Sequence, residues 1–238
     1  MTSIAPVVTL SPRDYDAVLF DLDGVLTKTA SVHAAAWEKL FNAFLKQRAA
    51  RTGEPFVPFS TNADYYQYVD GKPRYDGVAS FLESRGIDLP FGSPDDGPGA
   101  ETVHGLGKLK DQYFTEQLEQ RGVEVFEPTI ALVRTLRAQD IKTAVVSSSN
   151  NCAAVLKAAG IAQLFDARVD GIDIAHLNLK GKPAPDAFLE GARRLKTEPA
   201  RAVVVEDAIA GVRAGRVVVL VIWELKKPWL KMNCSTSI

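Results

Sequence analysis

Residues 17–29, AVLFDLDGVLTKT, decide how the chain is read. Ala17-Val18-Leu19-Phe20 is an apolar run too short for a helix and suited to a strand buried on both faces. It runs into two carboxylates, Asp21 and Asp23, and stops at Gly24. Side chains at i and i+2 share a face of a strand, so both carboxylates emerge on one side of the strand end. Two neighbouring anions in an apolar setting are costly unless a cation or a proton compensates them. Such a pair at the mouth of a buried strand points to metal binding, to chemistry, or to both.

Outward from this stretch, 238 residues suffice for one large domain or two small ones. A hydrophobic content of 46% and a charged content of 24% are ordinary for a soluble globular protein. With 28 basic and 29 acidic residues, no electrostatic footprint for nucleic acid or an anionic membrane is visible. No apolar run approaches the roughly 20 residues of a membrane span. The N-terminus, MTSIAPVVTLSPRD, lacks the basic and apolar regions of a secretory signal. Cys152 and Cys234 form neither a disulfide framework nor a metal motif. These features predict a soluble cytoplasmic protein with neither nucleic acid nor membrane as a partner; the oligomeric state is unknown from the sequence, with a monomer favoured.

Two regimes divide the chain. Residues 1–14 read as a loose arm broken by Pro6 and Pro12. Residues 30–126 read as a helical insert. It opens with a helix over 30–47 that carries Trp37, Leu40, Phe41, Phe44 and Leu45 at core spacing. A loop is expected over 48–60, helices over 65–69, 75–84 and 103–120, and a Gly/Pro/Asp-rich loop over 86–101. From Pro128 helices alternate with strands: helices over 129–139, 152–159, 186–195 and 208–214, strands at 142–146, 202–205 and 217–222, and a short apolar segment at 164–169. Alternation of this kind predicts a doubly wound parallel α/β sheet with helices on both faces. Ligands of such sheets bind beyond the carboxyl ends of the strands. Asp21/Asp23, Ser147 to Asn151 and Glu206/Asp207 all fall there.

Each cluster alone has an ordinary structural explanation. Ser147 to Asn151 could cap a helix, Lys182-Pro183 could be a solvated turn, and Glu206-Asp207 could favour a helix start. Together they gather carboxylates, a lysine and a hydroxyl on one sheet edge, which describes a phosphoryl-transfer site. Carboxylates suit Mg²⁺, a lysine neutralises charge on the transferring oxygens, and a carboxylate can attack phosphorus.

On Asp21-Leu-Asp23-Gly24-Val25, Ser147, Lys182-Pro183 and Glu206-Asp207, in this order, the chain resembles the haloacid dehalogenase superfamily, over about residues 15–222. The resemblance implies a Rossmann-like core (1–29 and 127–238) with an inserted all-helical cap (30–126). It implies that Asp21 is a nucleophile forming an aspartyl-phosphate and that Asp23 is the general acid/base. Ser147 and Lys182 would hold phosphoryl oxygens, with Mg²⁺ on Asp21, the Asp23 carbonyl, Glu206 and Asp207. Thr29, His33 and Trp37 resemble the signature of the beta-phosphoglucomutase-like subfamily, in which the histidine helps the acid/base respond to cap closure. Gly71-Lys72-Pro73-Arg74 resembles its substrate loop, with Arg74 on the non-transferring phosphate.

The chain also departs from that pattern. Asp70 stands where the subfamily has a lysine, and Lys72 could substitute from another backbone position. Ser149-Asn150-Asn151 lacks the usual lysine of the phosphate loop, and Lys28 replaces an aspartate. Residues 223–238 do not match the family and read as a divergent or frameshifted terminus, or as part of a longer ancestral polypeptide. The implied reaction converts beta-D-glucose 1-phosphate to glucose 6-phosphate through a bisphosphate. A sugar-phosphate phosphatase using the same nucleophile, favoured by the departures at the distal-phosphate positions, is the alternative. A non-catalytic sugar-phosphate-binding module is the second.

Overall fold

The computed structural model describes residues 9–216, 222–224 and 233–234. In chain order these form β1 (Thr9–Leu10), β2 (Ala17–Phe20), α1 (Ala30–Thr52), α2 (Arg74–Ser84), α3 (Val103–Arg121) and α4 (Glu127–Ala138). There follow β3 (Lys142–Val146), α5 (Cys152–Ala158), β4 (Ala167–Val169), α6 (Gly171–His176), α7 (Asp186–Arg194), β5 (Ala202–Glu206), α8 (Ile209–Arg216), β6 (Ile222–Glu224) and β7 (Asn233–Cys234). A single π-helical turn covers Tyr65–Val69. The chain divides into two compact units, one of residues 1–28 and 124–238, the other of residues 29–123.

The first unit is built on a five-stranded parallel sheet of order β4-β3-β2-β5-β6. Leu19 lies beside Ala144 on one side and Val204 on the other, and Phe20 beside Val145 and Val205. Strand β2 is therefore central, and its four apolar residues are wholly buried, as a strand covered on both faces requires. Ala17, Leu19, Ala144, Val146 and Val204 pack with Phe188, Ala192 and Leu195 of the α7 region and with Ala214 of α8. The alternate residues Val18, Phe20, Val145, Val203 and Val205 are buried as well and point to the opposite face. Asp21, Ser147 and Asp207 each follow directly on a strand end, so the sheet brings them to one edge.

The second unit is helical. Trp37, Leu40, Phe41 and Phe44 of α1 form one apolar cluster with Phe59, Tyr65, Val78, Phe81 and Leu106. The Phe41 and Phe81 rings lie 4.0 Å apart, and Phe59 sits edge-on to Phe81 at 5.1 Å. Gly77 of α2 faces the Trp37 indole, and a Cβ there would lie 3.2 Å from the ring.

Several expectations change. Helix α1 runs five residues past Gln47, because nothing in Arg48-Ala-Ala-Arg-Thr52 breaks a helix. It stops at Gly53, whose φ of +75° lets its N–H cap Ala49 O. The arm is not irregular to residue 14, since Thr9–Leu10 pairs in parallel with Asn233–Cys234 and Leu10 is buried. Helix α6 has no counterpart in the sequence reading. Of the strand expected over 217–222, only Ile222 lies within the described residues, and the strand there continues to Glu224. The atypical 223–238 segment lies outside them too, apart from residues 223–224 and 233–234. Among the described residues no helix is long and apolar enough to cross a membrane.

Candidate active site

Lys182 is the centre of the polar cluster in the sheet unit. Its side chain is 1% exposed, and its Nζ donates to Asp21 Oδ1 at 2.5 Å, Glu206 Oε1 at 2.7 Å and the Val146 carbonyl at 3.2 Å. It follows β4 and α6 in the chain, joins Pro183 through a cis peptide bond, and lies over the Phe188 ring. Burial works against its ammonium, but Asp21 and Glu206 together outweigh that and hold its pKa above the ordinary value. One cation is thus shared by two buried carboxylates. The deficit falls on Asp21: burial pushes its pKa well up against the pull of Lys182, and Glu206 and Asp23 push the same way.

Glu206 has no exposure and both of its oxygens are engaged, Oε1 by Lys182 and Oε2 by the Ala208 N–H at 2.7 Å. It packs so closely on α8 that a Cβ on Gly211 would lie 1.6 Å from Oε1. Asp207 reaches the loop after β2, because a Cβ on Gly24 would meet its Oδ2 at 2.5 Å. Gly24 itself has φ +91°, and Asp23 bridges to Thr27 across the turn it makes. This glycine is what lets Asp207 approach the Asp21–Asp23 segment.

Among the described residues no three His, Cys, Asp or Glu side chains already stand as a metal-ligand group. The donor set nevertheless suits Mg²⁺, which takes hard oxygens and needs only one or two carboxylates beside water. Asp21 and Asp207 could supply the carboxylates, and the Asp23 carbonyl a third oxygen. The raised Asp21 pKa marks a place where one more positive charge would be stabilising. Glu206, expected beside Asp207 in the metal site, is engaged by Lys182 and by the Ala208 N–H.

After β3, Ser147 is buried and its Oγ accepts the Ser149 N–H at 3.1 Å. Ser149 Oγ accepts the Asn151 N–H at 3.1 Å, and Asn150 Oδ1 sits where a Cβ on Gly171 would be. The five residues Ser147 to Asn151 form a tight loop leading to α5, with Cys152 buried behind it; burial raises its thiol pKa well above the usual range.

The helical unit holds the other expected residues. Thr29 is buried and its carbonyl accepts the His33 N–H. His33 stacks on Phe114 with ring centroids 4.0 Å apart, and its Nδ1 lies 2.6 Å from Lys110 Nζ. A lysine ammonium only donates, and toward one Nδ1 would be the acceptor. Trp37, expected to bind substrate, is 3% exposed and belongs to the aromatic core; its ring lies 5.2 Å from Lys110 Nζ. Lys72 Nζ donates to Ser80 Oγ at 2.7 Å, and Arg74 pairs with Asp111.

Lys110, Asp111 and Ser80 were not singled out from the sequence. Lys110 carried a readable sign: it interrupts the stripe Val103, Leu106, Phe114 at helical spacing, where an unpaired lysine would be costly. Asp111 had none, since its partner Arg74 lies on another helix, and Ser80 had none, since its partner Lys72 lies in the turn before α2, at no regular helical spacing.

A family model of haloacid dehalogenase-like hydrolases matches residues 15–218. Proteins named beta-phosphoglucomutase from Mycobacterium bovis and Mycobacterium tuberculosis are 50% identical over 205 residues, 86% of this chain and 78% of theirs. An uncharacterized glycosyl hydrolase of M. tuberculosis is 41% identical over 211 residues, which are 89% of this chain and 16% of that protein. The crystal structure of beta-phosphoglucomutase from Clostridium difficile superposes with a TM-score of 0.68 at 25% identity, covering 87% of this chain and 83% of that one. With the sheet edge, its buried lysine and these likenesses in view, the chain is an enzyme of the haloacid dehalogenase-like hydrolase family, on its beta-phosphoglucomutase-like branch.

Proposed function

We propose that the protein is a Mg²⁺-dependent phosphotransferase that converts beta-D-glucose 1-phosphate to glucose 6-phosphate, with Asp21 as the nucleophile. The observation that carries this is the Asp21–Lys182 contact at 2.5 Å inside a buried edge of a parallel sheet. A lysine there fixes the carboxylate that attacks phosphorus and offsets charge on the transferring oxygens. Asp21 Oδ attacks the phosphoryl group of a sugar bisphosphate, the P–O bond to the sugar breaks, and Asp23 gives its proton to the departing oxygen. In the second half, a hydroxyl of glucose 1-phosphate attacks the aspartyl-phosphate, Asp23 takes the hydroxyl proton, and the Asp21 carboxylate is released. Ser147, with Ser149, Asn150 and Asn151 behind it, holds phosphoryl oxygens.

When bound, Mg²⁺ supplies positive charge beside Asp21, with Asp21, Asp207 and the Asp23 carbonyl as its protein ligands. We read residues 1–29 and 127–238 as the catalytic core and 30–126 as the substrate-specifying cap. In that cap Arg74 holds the non-transferring phosphate and His33 and Lys72 contribute polar contacts, with Thr29 adding another where the core chain enters the cap. Trp37 acts through Lys110, which fixes the His33 tautomer. The 50% identity to proteins named beta-phosphoglucomutase supports the sugar phosphate and the transfer.

A phosphatase acting through the same Asp21, with water attacking the aspartyl-phosphate, is the second reading. It is favoured by the compensated state of Arg74 and Lys72, which leaves the cap a weak grip on a second phosphate. Phosphorus NMR of the protein with beta-glucose 1-phosphate, Mg²⁺ and a trace of glucose 1,6-bisphosphate separates the two. Glucose 6-phosphate growing without free phosphate is expected, and Asp21→Asn should abolish it. Stoichiometric inorganic phosphate would make the enzyme a phosphatase. No turnover of any sugar phosphate would overturn both.

A further inference from the structure

Arg74 opens α2 with its guanidinium turned onto α3. Its Nη1 is 2.9 Å from Asp111 Oδ2, with the arginine side chain 15% exposed and the aspartate 34%. The approach is built into α3. Gly107, one turn before Asp111, leaves the space that Arg74 and Tyr75 fill: a Cβ there would lie 2.6 Å from the Tyr75 ring and 3.5 Å from Arg74 Cδ. The pair is therefore held by packing and is not a chance meeting of two long surface side chains. The neighbouring cation is also committed, because Lys72 donates to Ser80 and faces Asp76. Burial pushes the Asp76 carboxyl up, and Lys72 pulls it back. Position 70 adds a further carboxylate to the same turn.

A guanidinium presents one fork to carboxylate and phosphate alike. A phosphate arriving at Arg74 must first break the Asp111 pair, and the released carboxylate would then stand beside a dianion of its own sign. We propose that Asp111 is a specificity-determining residue, which competes with phosphate for Arg74 and lowers the affinity of the helical unit for a doubly phosphorylated sugar. This rests on the reading of Arg74 as the grip on the non-transferring phosphate. It gives the position a definite use: a bisphosphate is held loosely enough to leave, and the balance between transfer and hydrolysis follows from that hold.

The test is calorimetric binding of glucose 1,6-bisphosphate, with Mg²⁺, to the Asp21→Asn protein, in which the ligand is not consumed. In that background Asp111→Asn, isosteric and neutral, should lower the Kd about five- to tenfold. Arg74→Ala should raise it about tenfold or more. Adding Asp111→Asn to Arg74→Ala should recover less than about twofold, because the effect runs through the guanidinium. Asp111→Ser repeats the measurement should the asparagine variant melt early.

Each other outcome counts against a distinguishable part. If Arg74→Ala weakens binding while Asp111→Asn leaves it unchanged or weaker, Asp111 serves to position Arg74, and the competition is overturned. An equal gain from Asp111→Asn in both backgrounds would reduce it to the general field of a carboxylate. If Arg74→Ala has no effect, the reading of Arg74 fails and the inference falls with it. If the parent protein binds no bisphosphate, the proposed function itself fails.

Discussion

At the scale of single residues, the polar edge of the sheet is a problem of compensating buried charge, and Lys182 is its solution. Replacing it by methionine, similar in length and apolar, leaves Asp21 and Glu206 facing each other with no counter-ion. Breaking a buried pair by removing one partner costs about 3–5 kcal/mol, so Lys182→Met should lower the urea midpoint by a corresponding amount and abolish phosphoryl transfer. Gly24 is the second sensitive position. At φ +91°, with Asp207 Oδ2 only 2.5 Å from where a Cβ would stand, Gly24→Ala meets both backbone strain and a collision. The expected cost is about 1–3 kcal/mol. Because Asp207 must move, the variant should also lose most of the rise in Tm that Mg²⁺ gives the parent. Mg²⁺ at a hundred times its Kd stabilises the folded state by about 2.7 kcal/mol, so a thermal melt with and without chelator reads the difference directly. An undiminished Mg²⁺ shift in Gly24→Ala would remove Asp207 from the proposed metal site.

At the scale of elements, α7 is tied by charge as well as by the apolar face that Phe188 and Ala192 lay on the sheet. Glu190, with a side chain 9% exposed, accepts from Arg193 Nε at 2.6 Å and Arg194 Nε at 2.7 Å, while Arg194 reaches Asp173 of α6 at 2.9 Å. The Arg193 hydrogen bonds, then those of Arg194, hold the Glu190 pKa down to about 2. A folded pKa below the unfolded one means that the stabilisation is complete above about pH 4.5 and is lost as pH falls toward 2. Arg193 is largely exposed, so solvent screening brings the contribution to about 1–2 kcal/mol. Glu190→Gln should therefore destabilise by that amount at neutral pH, and urea titrations should show the gap closing below about pH 4. Elements also mark where the sequence could be read. Strand β2 and its carboxylates were plain because an apolar run ending in polar residues is a local pattern. The end of α1 was missed because its stop is Gly53 and not the first charged residues after Gln47. Helix α6 was missed because six residues give little periodicity, although its Asp170–Asp173 capping box, with both side chains bonded to backbone N–H groups, lies in view in the sequence. The Arg74–Asp111 and His33–Lys110 pairs were invisible for another reason. They join helices far apart in sequence, and no spacing rule connects them.

At the scale of the whole molecule, the chain builds two cores from interrupted sequence. The sheet unit uses residues on both sides of the helical unit, so its central strand β2 and that strand's partners β3 and β5 come from opposite sides of a long insertion. Such a sheet closes only after non-local pairing, whereas the helical unit is continuous and can order itself locally. Each unit has its own apolar cluster: Leu19, Val146, Phe188 and Val204 in the first, Trp37, Phe41, Phe59 and Phe81 in the second. Phe41 is wholly buried and touches Trp37, Phe59 and Phe81, with centroid distances of 4.0 to 5.2 Å. Truncating a buried phenylalanine to alanine costs about 3–5 kcal/mol, a large share of the stability of a unit of this size. Phe41→Ala should therefore release the helical unit ahead of the sheet. Native-state hydrogen exchange is the measurement: amides of α1 and α2 should lose protection by about two to three orders of magnitude, while those of β2, β3 and β5 keep theirs. Equal loss in both units would mean that the two cores unfold as one cooperative body. The consequence for activity follows from the proposed mechanism, whose Asp21–Lys182–Glu206 cluster belongs to the sheet unit alone. Phe41→Ala should thus raise the KM for a sugar phosphate far more than it alters the ability of Asp21 to take a phosphoryl group from a small donor such as acetyl phosphate.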